Sequence, residues 1–149
     1  MRVVLQRVSA GAVTVEGKVC GSIEQGFVAL VGVTHDDTRS ESERLAKKTA
    51  NLRVFSDDDG KMNLSLLDVN GGALVVSQFT LYADARKGRR PSYIGAAAPE
   101  QAAPLVSHYA QCLQAAGVQR IEQGIFGALM QVEIHNDGPV TIVLDSEHL

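Results

Sequence analysis

"MRVVLQRVSAGAVTVEGKVCGSIEQGFVALVGV", Met1 to Val33, is the stretch that decides the fold class. Apolar and β-branched residues come in short runs alternating with polar ones, and Gly11, Gly17, Gly21 and Gly26 punctuate them as closely spaced turns. The pattern predicts strands over about 2–8, 12–16, 18–24 and 26–34, a meander of short antiparallel strands. Arg2, Gln6 and Arg7 interrupt the first apolar stretch. It therefore lacks the continuous hydrophobic centre of a secretory signal and reads as the first strand of a cytosolic protein.

Beyond Val33 the periodicity changes. Thr38-Arg39-Ser40-Glu41 matches a capping box, and Leu45, Thr49 and Leu52 recur at helical spacing, which predicts a helix over about 38–51. Turns follow at Asp57–Gly60 and at Asn70-Gly71-Gly72, and "ALVVSQFTLYA" (73–83) then reads as a buried strand. Residues 84–98, "DARKGRRPSYIGAAA", have no clear period and form a long loop. A second helix fits about 101–116, with Leu105, Tyr109, Leu113 and Ala116 on one face, Pro104 in its first turn and Gly117 ending it. Strands over about 118–123, 128–135 and 140–145 close the chain. Between the last two lies "HNDGPVT" (135–141), which by local signals is a hairpin loop. The expectation is one domain, 1–149, of the α+β class: a mostly antiparallel, barrel-like sheet with two helices packed on it.

Composition narrows the function classes. With 45% hydrophobic and 21% charged residues in 149, and no apolar run near membrane-spanning length, the chain reads as a soluble globular domain with no membrane partner. A net charge of −3 argues against indiscriminate coating of nucleic acid, yet allows a local basic patch. Cys20 and Cys112 have neither C-x-x-C spacing nor a nearby histidine that would suggest zinc, and both read as small core residues. His35, His108, His135 and His148 are scattered, so a metal site is not expected.

Three stretches could carry chemistry. "SQFTL" (77–81) puts hydroxyls and an amide at the end of an apolar strand, with Ser77, Phe79 and Leu81 on one face and Gln78 and Thr80 on the other. Such groups are either bonded structurally or line a wet site, and no sequence-local base stands beside Ser77 or Thr80 to activate a nucleophile. "RKGRR" gathers Arg86, Lys87, Arg89 and Arg90 in one loop, which suits phosphate recognition as well as it suits a solvated surface. "GIFGALMQV" offers Phe126 and Met130, for which core packing is the ordinary role.

Taken together, "QRV" at 6–8, "SQFTL" at 77–81, "KGRRPSY" at 87–93, "GIFGALM" at 124–130 and "NDGPVT" at 136–141 resemble the bacterial-type D-aminoacyl-tRNA deacylases. The match runs in order along nearly the whole chain and includes both signature patterns of that family, S-Q-x-T and N-x-G-P-x-T. The resemblance implies a homodimeric, cofactor-free hydrolase with a barrel-like sheet. Its substrates would be D-aminoacyl-tRNA and glycine mischarged on tRNA(Ala), cut at the ester to the terminal ribose.

It further implies that Gly138 and Pro139 form a cis peptide inserted into the partner's active site, opposite Ser77, Gln78, Phe79 and Thr80. Arg7 would hold that loop, Phe126 and Met130 would shape a substrate wall, and Arg86, Lys87, Arg89 and Arg90 would meet acceptor-stem phosphates. Backbone suits a chiral filter, because a carbonyl in a rigid peptide does not swing aside as a side chain can. Glycine, lacking Cβ, would pass such a filter. Two mechanisms stay open: Thr80 as nucleophile, or attack by water assisted by the ribose 2′-OH, with N–H groups near Phe79 and Thr80 as an oxyanion hole. The absence of an evident base, and the RNA-assisted catalysis ascribed to the family, favour the second. A non-catalytic tRNA-binding module is the reading from a different class.

Overall fold

The computed structural model describes residues 1–149. β1 (Arg2–Val15) is the spine. Its first half pairs antiparallel with β3 (Gly26–Gly32), its second half with β2 (Lys18–Ile23), and its other edge with β8 (Gln131–Asp145). β6 (Gly72–Ser77) joins β3, and β7 (Ile121–Gln123) joins β6, both in parallel. A small hairpin, β4 (Phe55–Ser56) with β5 (Met62–Leu64), lies apart. The sheet is therefore mixed and nearly closed on itself, with antiparallel pairs in the majority.

Burial explains the composition of the central strands. β3 and β6 are covered on both faces, hence their near-continuous apolar sequences GFVALVG and GALVVS. On one face Val3, Leu5, Phe27, Ala29 and Val75 pack under α1 (Arg39–Asn51) and α2 (Pro99–Ala115), through Leu45, Ala46, Leu105, Tyr109 and Leu113. On the other, Val8, Val13, Ile23, Val28, Leu74 and Val76 fill the inside of the curled sheet. Thr49 Oγ1 and Tyr109 Oη bond at 2.8 Å between the helices, so neither buried hydroxyl is left without a partner.

Five expected elements or pairs of elements differ in their bounds. The strands expected at 2–8 and 12–16 are one strand, as are those at 128–135 and 140–145. The strand expected over 73–83 ends at Ser77 and turns into a 3-10 turn, Phe79–Tyr82. The faces assigned to Phe79, Thr80 and Leu81 by strand alternation therefore do not apply. The second helix begins at Pro99, where proline suits a first turn, and the strand expected over 118–123 is only Ile121–Gln123. Cys20 and Cys112 are both half-buried.

Candidate active site

The chain leaves the sheet after Ser77. Gln78 N–H still donates to Val31 O on β3 at 2.8 Å, and the 3-10 turn follows at once. Arg2 anchors that turn. Its Nη1 donates to Leu81 O at 2.8 Å, Nε and Nη2 donate to Asp145 Oδ2, and the guanidinium carbon stands 4.9 Å from the Tyr82 ring centroid. Burial pushes the Tyr82 phenol well above its ordinary value, so it stays neutral. A Cβ on Gly32 would come within 3.0 Å of Gln78 O and Leu81 Cβ, and the missing side chain is what admits the turn so close to β3.

Within the turn the Gln78 amide donates to Thr80 Oγ1, fixing both side chains. Phe79 and Thr80 are the first residues of the 3-10 turn, so their N–H groups have no acceptor inside it. Phe79 lines a cavity of about 380 Å³, and Thr80 follows it in the turn, bonded to Gln78 of the same wall. Its walls are Val31 and Val33 from β3, Ser77 to Phe79, Tyr93, Ala96 and Ala97, the start of α2, and Phe126 with Gly127. The lining is mostly apolar with few polar groups, which suits one small organic moiety held in a set orientation. No Asp, Glu or His lines it, so neither Ser77 nor Thr80 has an activating base there.

The wall over α2 is tied down from the segment after β3. Thr34 Oγ1 donates to Gly95 O at 2.7 Å, Ala97 N–H donates to Val33 O at 2.9 Å, and Gln101 Nε2 donates to His35 O at 2.8 Å. Residues 84–92 form a closed loop, since Asp84 and Ser92 exchange both backbone hydrogen bonds. Arg86 forks onto the Asp84 carboxylate and holds it down at about 2. Lys87, Arg89 and Arg90 are exposed and enter no ion pair.

Gly138-Pro139 is not a hairpin turn between two strands. Gln6 pairs with Thr141 and Val8 with Asn136, so the residues between bulge out of β8 opposite Arg7 while pairing resumes on either side. The peptide is cis and Gly138 has φ +116°. Arg7 is buried beneath the bulge, with Nε donating to Asp137 O at 3.1 Å and Nη1 to Val54 O at 2.6 Å. Gln6 Oε1 accepts from Asn136 Nδ2 at 2.8 Å and from Thr141 Oγ1 at 2.6 Å, pinning both shoulders. Asp137, Gly138 and Pro139 themselves are exposed.

Not all the expected site residues meet within one chain. Ser77, Gln78, Phe79 and Phe126 share the cavity, and Thr80 adjoins it through Gln78. Met130 does not: its Sδ sits against Gly124, where a Cβ would be 2.6 Å away, and its side chain packs on the core inside the sheet. Arg7 and the Gly138-Pro139 bulge lie elsewhere, because Arg7 pairs with Phe27 whereas Ser77 pairs with Val31. That offset amounts to roughly 13 Å along the strands, with roughly 14 Å more across the sheet from β8 to β6.

Gln6, Tyr93 and Gln101 were not expected to serve the site. The signals for the first two were their positions inside "QRV" and at the end of "KGRRPSY"; Gln101 had none. A histidine does stand beside Cys112, contrary to expectation. His108 Nε2 is 3.6 Å from its Sγ and 3.1 Å from Glu43, one helical turn and one helix away. Burial pushes that thiol upward, away from the reactive thiolate. No group of three His, Cys, Asp or Glu side chains is placed to hold a metal ion.

Residues 4–145 match the family model described as D-Tyr-tRNA(Tyr) deacylase. The chain belongs to the D-aminoacyl-tRNA deacylase family. It is 62% identical over 149 residues to the D-aminoacyl-tRNA deacylase of Thermomicrobium roseum, covering all of this chain and 96% of that protein. It is 55% identical to that of Thermus aquaticus, covering 98% and 95%. Among solved structures, a protein titled c-Myc DNA Unwinding Element Binding Protein superposes with TM-score 0.91 at 41% identity, covering 97% of this chain and 98% of the other. A structure titled as a probable eukaryotic D-amino acid tRNA deacylase superposes with TM-score 0.82 at 18% identity, over 96% and 97%, and shares the deacylase fold.

Proposed function

We propose that the chain is a cytoplasmic, homodimeric enzyme that hydrolyses the ester joining a D-amino acid to the terminal ribose of tRNA, sparing the L-aminoacyl ester. The observation that carries this is the cavity beside Gln78, Phe79 and Thr80, which offers backbone donors but no general base. An enzyme so equipped needs its substrate to supply the missing group. The ribose 2′-OH adjoins the ester and assists water in adding to the carbonyl carbon, while the Phe79 and Thr80 N–H groups stabilise the oxyanion. The acyl–oxygen bond then breaks, the ribose oxygen takes a proton, and free amino acid and tRNA leave.

Gly138-Pro139 of a second copy forms the chiral gate in this reading. Its backbone occupies the space an L side chain would need, so discrimination comes from exclusion. Glycine has no side chain to exclude, and glycine mischarged on tRNA(Ala) is a substrate. The test is deacylation of D- and L-tyrosyl-tRNA by the wild type and by Thr80→Ala. Rapid loss of the D ester only, kept within about tenfold in Thr80→Ala, is the expected result, since one hydrogen-bonding hydroxyl is lost. Equal rates on the two esters would refute the gate. A loss on the order of 10⁴-fold or more in a folded Thr80→Ala would make Thr80 the nucleophile. Binding of tRNA with no hydrolysis would leave only a binding module.

A further inference from the structure

The mechanism leaves two neighbouring features unused: the basic loop and the Tyr93 ring at its base. The Asp84–Ser92 bridge closes the loop and makes Tyr93 the first residue beyond it. The Tyr93 ring meets Phe79 edge-on, centroids 5.1 Å apart at 71°. Tyr93 is 42% exposed and Phe79 57%, large apolar surfaces to leave in water. Arg86 is occupied by Asp84, whereas Lys87, Arg89 and Arg90 face no carboxylate of this chain.

We propose that residues 84–93 are a two-part grip on the 3′ end of tRNA: Lys87, Arg89 and Arg90 engage backbone phosphates, and Tyr93 stacks on a base of the single-stranded terminus. The identity of the RNA rests on the hydrolase reading above. The chemistry of the grip does not: cations that track a phosphate backbone, set beside an aromatic face, are how single-stranded nucleic acid is held. Phe79 braces the Tyr93 ring before the base arrives, which lowers the entropy cost of stacking. Phe79 and Tyr93 both line the cavity, so a base stacked on Tyr93 sits beside the ester held there. Tyr93 is thus a positioning residue.

The test uses the full chain and an uncharged RNA acceptor-stem hairpin with a single-stranded CCA end, so that binding is read without hydrolysis. Anisotropy titrations over a series of KCl concentrations give the slope of log K against log salt. The triple variant K87Q/R89Q/R90Q is expected to flatten that slope by about 2, near 0.7 for each phosphate left without its cation. Tyr93→Ala is expected to weaken binding by about fivefold or more with the slope kept, and Tyr93→Phe to bind as wild type. A blunt hairpin lacking the CCA end should be indifferent to Tyr93→Ala.

No measurable binding by the wild type, an unchanged slope in the triple variant, or equal losses on blunt and CCA hairpins would overturn the grip. Loss of self-association by Tyr93→Ala in sedimentation would assign the ring to the surface between copies and overturn it too. The two readings fail separately. If the hairpin binds as described but D-aminoacyl ester persists, the hydrolase reading falls and the grip stands; if the ester is cleaved while the variants bind like wild type, the grip alone falls.

Discussion

Arg7 and Gly138 make one contact from two sides. The guanidinium is buried and spends its donors on Val54 O and Asp137 O, so it is held before any ligand arrives. Gly138 lies on top of it at φ +116°, where a Cβ would be 2.8 Å from Arg7 Nη2 and 3.0 Å from Val140 Cγ2. No other residue type fits that backbone without strain of about 1–2 kcal/mol. Gly138→Ala should therefore push the bulge off Arg7. Since the bulge is exposed, the urea midpoint is expected to move modestly, by the equivalent of that strain. Deacylation of D-aminoacyl-tRNA, read as kcat/KM, is expected to fall on the order of 100-fold, the usual penalty for misplacing a positioning group by about an ångström. A variant with wild-type kcat/KM would separate the bulge from the reaction.

Elements were legible in the sequence where their signals were local. The capping box of α1 is as read: Thr38 Oγ1 accepts from Ser40 N–H at 3.2 Å, and Glu41 Oε2 accepts from Thr38 N–H at 2.7 Å. Bonding to the Thr38 hydroxyl and then to its N–H holds the Glu41 carboxyl below its ordinary value. A depressed carboxyl contributes stability that is present above its unfolded pKa and lost as pH falls through the folded one. Thr38→Ala is expected to cost about 1 kcal/mol at neutral pH, with the gap to wild type narrowing as acid protonates Glu41. Urea unfolding of both proteins along a pH series checks this, and a gap constant down to acid pH would mean the box is not what the substitution removes. What the sequence hid was non-local. Gly11 looked like a turn, yet it sits inside β1 where the partner changes from β3 to β2, and a Cβ there would be 2.6 Å from Val28 Cγ2. Gly138-Pro139 looked like a hairpin because nothing near it tells that β1 continues opposite both flanks. Phe79 kept strand alternation with Ser77 on paper, but Gln78 makes the last sheet bond and the chain turns. The motifs pointed to Ser77, Gln78 and Phe79, which share one cavity, whereas the placement of Met130 on Gly124 depends on packing that no motif records.

At the scale of the molecule, the bulge and the cavity of one chain are on the order of 20 Å apart, while the proposed chemistry needs them in contact. In the proposed homodimer a second copy would resolve this, and two-fold symmetry would make each chain donate its bulge and receive its partner's. On that proposal every active site would take its cavity from one chain and its gate from the other, which has a consequence that no single-chain site shares. Gly138→Ala spoils the gate a chain gives away; Ala96→Trp fills the cavity a chain keeps, since Ala96 lines it. Alone, Gly138→Ala is expected to keep only about a hundredth of wild-type activity and Ala96→Trp to be inactive. Mixed in equal amounts and allowed to exchange, half of the dimers pair one of each, and each such dimer holds one site with both halves intact. Activity should therefore recover to about a quarter of wild type. Mass measurement of the exchanged species confirms that mixed dimers formed. If they form and the activity does not rise, gate and cavity belong to the same chain, and the bulge would have to reach its own pocket by a rearrangement of β8.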